Sequence, residues 1–272
     1  MDVPIGFKMT FTVPVPTPMI LLLYVDQEAE ASLRKPEQIE IQTESGIQVP
    51  IEDYLDAFGN RSARIVAPAG RLTLSYDNII ERSDDVEPVV ADAHQHPVEE
   101  LPVDTLQFLL PSRYCEVDRL GDIAWDLFGG GATGWSRVQT ICDWVHNHIE
   151  FGYEHARPTK TALEVYEERK GVCRDYMHLA ITFLRCMNIP ARYATGYLGE
   201  IQVPKTDTPM DFSAYLEVYL SGQWHTFDPR NNTRRLGRTL MARGRDAADT
   251  ALTTSYNNLP LEEFLVWTDE IR

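Results

Sequence analysis

A chain of 272 residues, 43% hydrophobic and 24% charged, has apolar material for one large domain or two ordinary ones, which argues against disorder. Its formal net charge of -16 argues against nucleic acid and anionic membrane surfaces as partners, because gripping phosphate takes clustered Lys and Arg. The opening MDVPIGFKMTF lacks the basic and then apolar pattern of a secretion signal, the run from Met19 to Val25 is too short to span a bilayer, and Cys115, Cys142, Cys173 and Cys186 form no CxxC pair, so a cytoplasmic protein with reduced thiols is expected.

From Phe7 to about Glu81 the pattern is that of strands: FKMTFTV, MILLLYV, the run IEIQTESGIQVPI turning at Ser45-Gly46, and SARIVAPAGRLTLSYDNII turning at Ala69-Gly70. They suggest a small antiparallel sandwich-like or barrel-like module within residues 1–100, with no chemistry of its own. Residues 83–104 are acidic and proline-bearing and are expected to form a linker. His94 and His96 lie in it without a second ligand pair, so solvent rather than a metal is their expected neighbour.

Helices follow in the second part, residues 101–272. Ser112 suits the N-cap of RYCEVDRLGDIAWDLF, which the glycines at 129 to 131 end, and WSRVQTICDWVHNHI sets Val138, Ile141, Val145 and Ile149 on one stripe. His146 and His148 are two apart on that helix and diverge. A capping box of Thr161 and Glu164 opens TALEVYEERK, and Gly171 is expected to stop it.

From Cys173 onward Tyr176, Met177, Ala180, Phe183, Leu184 and Met187 recur at helical spacing until Pro190. Cys173 therefore belongs to a first turn, where unpaired N–H groups and the positive end of the helix dipole favour an anion; a lowered thiol pKa is the expectation. Arg174 and Asp175 are read as a surface charge and a dipole partner, and Cys186 as a small core residue. ARYATGYL then alternates as a strand, with Arg192 paired inside the sheet, and SAYLEVYL-SG-QWHTFDP has the form of a hairpin. Arginines 234, 235, 238, 243 and 245 are expected to make internal salt bridges and line a cleft, and Phe264 to Ile271 to form a final strand.

GVCRDY, LAITFLRCMNIPARYATGY, the strand AYLEVYL, Trp224 and TFDP with Asp228 occur in one order. On these residues, over roughly 113–232, the chain resembles the transglutaminase-like superfamily, specifically its bacterial cysteine-protease branch. The resemblance implies an α+β fold: an N-terminal antiparallel β module followed by a papain/transglutaminase-like core, its nucleophile helix packed on an antiparallel sheet. It implies acyl transfer on peptide or side-chain amides of a peptide or protein substrate, through a Cys173 thioester with Asp228 as orienting acid. Hydrolysis is favoured over crosslinking, and neither cofactor nor metal is implied. The oxyanion hole would include the backbone N–H of Cys173.

Where that branch has a histidine, as in HAWVEV, this chain reads SAYLEV, so Ser213 stands at the position of the catalytic base. A hydroxyl cannot pair with a thiolate or titrate near neutrality, and the acid–base help at stake is about 10²–10⁴-fold. Three functions stay open: a cysteine-dependent acyl-transfer enzyme, a binding module that keeps the fold and cleft but has lost turnover, and an assembly scaffold with no cleft function. Of the other histidines, His225 is three residues from Asp228 and faces the opposite side of its strand, and His178 is rotated away from Cys173 on the same helix. His155, in the loop GYEHARPTK, is free to reach in. Tyr153 and Tyr197 either line the cleft or fill the core.

Overall fold

Alternation in the first strand sends Phe7, Met9, Phe11 and Val13 to one side, and that row decides how the rest of the module packs. The computed structural model describes residues 1–205 and 210–269. Six strands come first: β1 (Asp2–Val13), β2 (Thr17–Leu21), β3 (Glu40–Thr43), β4 (Glu52–Leu55), β5 (Arg61–Ala67) and β6 (Gly70–Glu81), with a short helix α1 (Gln27–Glu30) after β2. Two more, β13 (Thr253–Ser255) and β14 (Leu261–Thr268), return from the far part of the sequence. They form two antiparallel sheets, ordered β14-β1-β6-β3 and β13-β2-β5-β4, whose inward rows share one core. The sheets therefore do not follow the division at residue 100. The last strand ends at Thr268, and its expected continuation over 270–271 lies outside the described residues.

Two local expectations for this module are corrected. Only the first half of IEIQTESGIQVPI is strand, and of MILLLYV only the part to Leu21; Leu22 to Val25 stay buried but leave the sheet. The chain instead descends into α1, where the Asp26 carboxylate accepts the Glu28 N–H at 3.1 Å.

Beyond α1, Glu37 is enclosed completely, accepting the Val25 N–H at 2.9 Å and a bond from Arg61 Nη1 at 2.5 Å. Burial pushes its carboxyl up to about 7, against the opposing pull of that N–H and of Arg61. Between about pH 4.5 and 7 the folded chain keeps a proton that the unfolded chain has released, so stability falls as pH rises through that window, by up to about 3 kcal/mol. Urea unfolding at pH 5 and pH 8 is expected to show this decline, and Glu37→Gln to remove it; an equal decline in the variant would assign it to other groups.

The second part is a helical layer on a sheet. Its elements are α2 (Val117–Phe128), α3 (Trp135–His148), β7 (Glu150–Phe151), α4 (Ala162–Glu168), β8 (Lys170–Gly171), α5 (Cys173–Cys186), β9 (Ala191–Tyr197), β10 (Ser213–Leu220), β11 (Gln223–Phe227) and β12 (Thr239–Gly244). The antiparallel sheet has the order β11-β10-β9-β12, and β7 pairs in parallel with β8. β10 and β11 join through Ser221-Gly222, both at positive φ, as a two-residue hairpin turn requires. Twelve of the 14 residues of α5 are buried, so it is the central helix, with α2, α3 and α4 around it and β9 and β10 beneath. The α+β fold read from the sequence is the fold observed. Among the described residues no helix is long and apolar enough to cross a membrane.

Three boundary features differ from expectation, each for a tertiary reason. α2 starts at Val117, because Ser112 is engaged elsewhere: its Oγ accepts from Arg185 Nη1 at 3.1 Å. Arg185 is enclosed among carbonyls, reaching Ala191 O through Nε (3.1 Å) and Nη2 (2.9 Å), Leu110 O (3.0 Å) and Arg245 O (2.6 Å). α4 has the Thr161–Glu164 capping box but stops at Arg169, which takes the left-handed conformation at φ 57, before Gly171 is reached. The segment holding His94 and His96 is largely exposed but tied to the β10–β11 turn: His94 Nδ1 meets Ser221 Oγ at 2.7 Å, and His96 Nε2 accepts the Gly222 N–H at 2.9 Å.

Candidate active site

Gly171 ends β8, Val172 is the extended N-cap, and Cys173 is the first helical residue of α5. Asp175 fixes this entry. Its Oδ2 accepts the Val172 N–H at 3.0 Å, and a Cβ at Gly171 would stand 2.7 Å from Asp175 Cβ, so glycine is needed for close approach. Asp175 is fully buried, and Arg174 Nη2 lies 3.3 Å from its carboxylate while donating to Arg157 O at 2.6 Å. Burial raises the Asp175 carboxyl, and the Val172 N–H, Arg174 and Lys160 oppose that rise. Arg174 is not the surface charge expected; with Asp175, which stays in the first turn as read, it forms part of the seat of the cysteine.

Cys173 lines a cleft of about 120 Å³ together with Tyr153, Asp211, Ser213, Arg230 and Asn231. Arg230 lies over the Phe151 ring at 4.2 Å and donates to Asn231 Oδ1 at 2.8 Å. The backbone N–H groups of Ala214 and Arg174 favour the Cys173 thiolate. Even so, burial pushes the thiol up to about 11, and the Asp211 carboxylate adds to the rise; the two N–H groups and Arg230 act in the other direction. Burial of the sulfur and the Asp211 charge thus oppose the lowering expected from helix position. A helix terminus is worth at most about 2 kcal/mol, or between one and two pKa units, whereas enclosing a charge moves a group by up to about 3–5 units.

Ser213 opens β10 opposite Gly196 and shares the cleft with Cys173. Phe227 faces Leu216 across the hairpin, so Asp228, the next residue, follows opposite Tyr215 and on the sheet face of Ser213. Asp228 does not line the cleft, however. Its Oδ1 accepts the Asn231 N–H at 3.0 Å, and its Oδ2 accepts from Asn231 Nδ2 at 2.8 Å and from Arg238 Nη2 at 3.1 Å. Arg238 is held in turn by Glu87 at 2.6 Å. Asn231 therefore stands between Asp228 and the cleft.

None of the seven histidines lines this cleft. His225 donates from Nε2 to Leu220 O at 3.2 Å and packs edge-on against Trp135. His178 stacks on Tyr114 at 4.8 Å and accepts the Ala247 N–H; burial holds it well below the usual imidazole range, hence neutral. His155 sits beside Glu154 at 3.6 Å, and it is Tyr153, two residues earlier, that enters the cleft. His146 donates to Pro229 O and His148 to Tyr166 O, diverging as their spacing requires. Tyr197 is fully buried in the sandwich core.

Arg238, Arg243 and Arg245 make the internal salt bridges expected, Arg235 donates to Gly199 O at 2.8 Å, and Arg234 differs: it is exposed and donates to the Glu87 carbonyl at 3.2 Å. Arg192 pairs with Glu217 at 2.6 Å, Arg243 with Glu217 and Asp26, Arg245 with Asp249, and Arg235 lines the cleft. Asp211, Arg230 and Asn231 are among the cleft residues that sequence reading missed, as is Glu200. A signal existed for the first three: Asp211 lies two residues before Ser213, the spacing of one strand face, and Arg230-Asn231 directly follow Asp228-Pro229.

Residues 122–229 match the sequence model of the transglutaminase-like superfamily. The crystal structure of a protein from Cytophaga hutchinsonii, described as a "putative cysteine protease", is similar over 98% of this chain and 90% of that one, with TM-score 0.83 and 30% identity. An uncharacterized protein of Mycobacterium leprae is 24% identical over 209 residues, 73% of this chain and 73% of its own. An uncharacterized protein of Mycobacterium tuberculosis is 35% identical over 95 residues, 32% of this chain and 30% of its own.

Proposed function

The chain belongs to the transglutaminase-like superfamily, and from that premise we propose that its cleft cleaves peptide or side-chain amides through a thioester on Cys173. The observation that supports this best is the sulfur itself, placed at the first residue of α5 in a cleft that it shares with Asp211, Ser213 and Arg230. Thiolate attack on the amide carbonyl forms the C–S bond, the amine departs with a proton, and water then cleaves the thioester. The Cys173 N–H has no acceptor within the helix and is free for the oxyanion that forms at each step. Asp228 acts at one remove, holding Asn231 at the cleft wall. The similarity to the Cytophaga protein described as a cysteine protease supports hydrolysis over crosslinking.

The test is incubation with an activated peptide ester, followed by mass analysis of the Cys173 peptide. An acyl adduct on that peptide is expected, with turnover abolished in Cys173→Ala and its melting temperature nearly unchanged. Turnover that survives in Cys173→Ala would sink the reading. A second reading, a peptide-binding module, is favoured by one observation, the lack of any imidazole in the cleft. It predicts equal peptide affinity in the natural chain and Cys173→Ala, with no adduct in either.

A further inference from the structure

We infer that Asp211 is the acid–base residue of this cleft, doing for Cys173 what no histidine here is placed to do. The inference rests on the acyl-transfer reading above. Its first support is position. Asp211 and Ser213 flank Phe212, whose ring is seated in the sandwich core against Tyr197 (5.1 Å between centroids), Phe264 (6.0 Å) and Phe7 (6.2 Å). That anchor fixes the backbone on both sides, and both flanking residues line the cleft with Cys173.

The second support is how the carboxylate is held. Its Oδ1 accepts the Phe212 N–H at 2.7 Å, and among the described residues Oδ2 has no hydrogen-bond partner, so one oxygen is tethered and the other is available. The charged and titratable groups sharing the cleft are Cys173, Tyr153, Arg230, Arg235 and Glu200. The Asp211 charge is felt at Cys173 and at Tyr153, while Arg230 draws both the other way. Asp211 is exposed as a residue, but desolvation of its carboxyl at the cleft raises it above the ordinary aspartate range, toward a stronger base.

The steps balance. The carboxylate takes the S–H proton as sulfur attacks the carbonyl, and the resulting carboxylic acid gives that proton to the departing amine. It then takes a proton from the water that attacks the thioester and returns it to sulfur as the C–S bond breaks. In the resting protein the same negative charge keeps the thiol protonated, so the nucleophile is silent until the proton moves.

This double role gives a test with opposite signs. In Asp211→Asn, amide turnover is expected to fall about 10²–10⁴-fold and to lose its acid limb. Iodoacetamide alkylation of Cys173 at pH 8 is expected to rise several-fold, because removing the anion lowers the thiol pKa; Cys173→Ala supplies the background from the other three cysteines. A merely structural residue would not move the two readouts apart. Asp211→Glu, which keeps the charge, is expected to recover part of the turnover and provides the readout if the Asn protein misfolds. Turnover retained in Asp211→Asn, or alkylation unchanged or slower, overturns the inference alone. A natural chain that forms no adduct with any acyl donor overturns the acyl-transfer reading and this inference with it.

Discussion

A Ser213→His chain is expected to turn over peptide amides about 10²-fold faster than the natural chain, the low end of what a positioned acid–base group supplies, since Asp211 already serves. Position 213 opens β10 and lines the cleft together with Cys173, so an imidazole there stands within the cleft. An imidazolium next to the sulfur would stabilise the thiolate as an ion pair and pull the thiol down from about 11. Asp228 lies along the same face, and Asn231 between them can accept from the ring through its amide oxygen. Alkylation of Cys173 at neutral pH should quicken together with turnover. In the Ser213→His background, Asp211→Asn should then cost less than it does in the natural chain, a coupling that a double-mutant cycle measures. A folded Ser213→His protein with neither readout changed would show that position 213 does not reach the sulfur.

Arg185→Met is expected to destabilise the fold by about 3–6 kcal/mol, read as a shift of the urea midpoint, without touching the cleft directly. The guanidinium bridges Ala191 O, Leu110 O, Arg245 O and Ser112 Oγ, and so joins α5, the start of β9, the segment before α2 and the one after β12. Methionine matches the stem but makes none of these bonds, and each buried acceptor left alone costs about 1–3 kcal/mol. Removing a desolvated cation offsets part of that loss, which is why the total stays below the plain sum. Against a stability of about 5–15 kcal/mol for a whole domain, the change is decisive. Lysine is expected to rescue little, because a point charge cannot span acceptors arranged around a planar fork. A loss under about 1 kcal/mol would mean that water replaces the arginine without cost.

What was legible in the sequence was local. The α3 stripe, the Thr161 capping box, the Ser221-Gly222 turn and the cysteine at a helix entry each follow from periodicity or turn chemistry within a few residues. β4 was not legible because every residue in it is exposed and no alternation marks it. β13 and β14 were missed as members of the sandwich because their partners lie far away in sequence. Likeness to a family brought Cys173 and Ser213 to one place, and the structure puts both in one cleft. It could not show that Asp228 is turned toward Asn231 and Arg238, since that depends on residues after the motif. The thiol is the clearest case: a rule about helix ends points one way, and burial together with the charge of Asp211, a residue in a loop, acts the other way.

The pairing of β1 with β14, Ile5 opposite Thr268, also sets a timetable. A ribosome adding about 5–20 residues per second needs on the order of tens of seconds to travel from one strand to the other. Through that interval one edge of β1 has no neighbour, guarded by Lys8, which later pairs with Glu263. Phe212 leans on Phe7 from the earliest strand and on Phe264 from the latest. The nascent polypeptide thus carries its cysteine helix well before the wall opposite is braced, and the cleft takes its final shape only when the last strand docks.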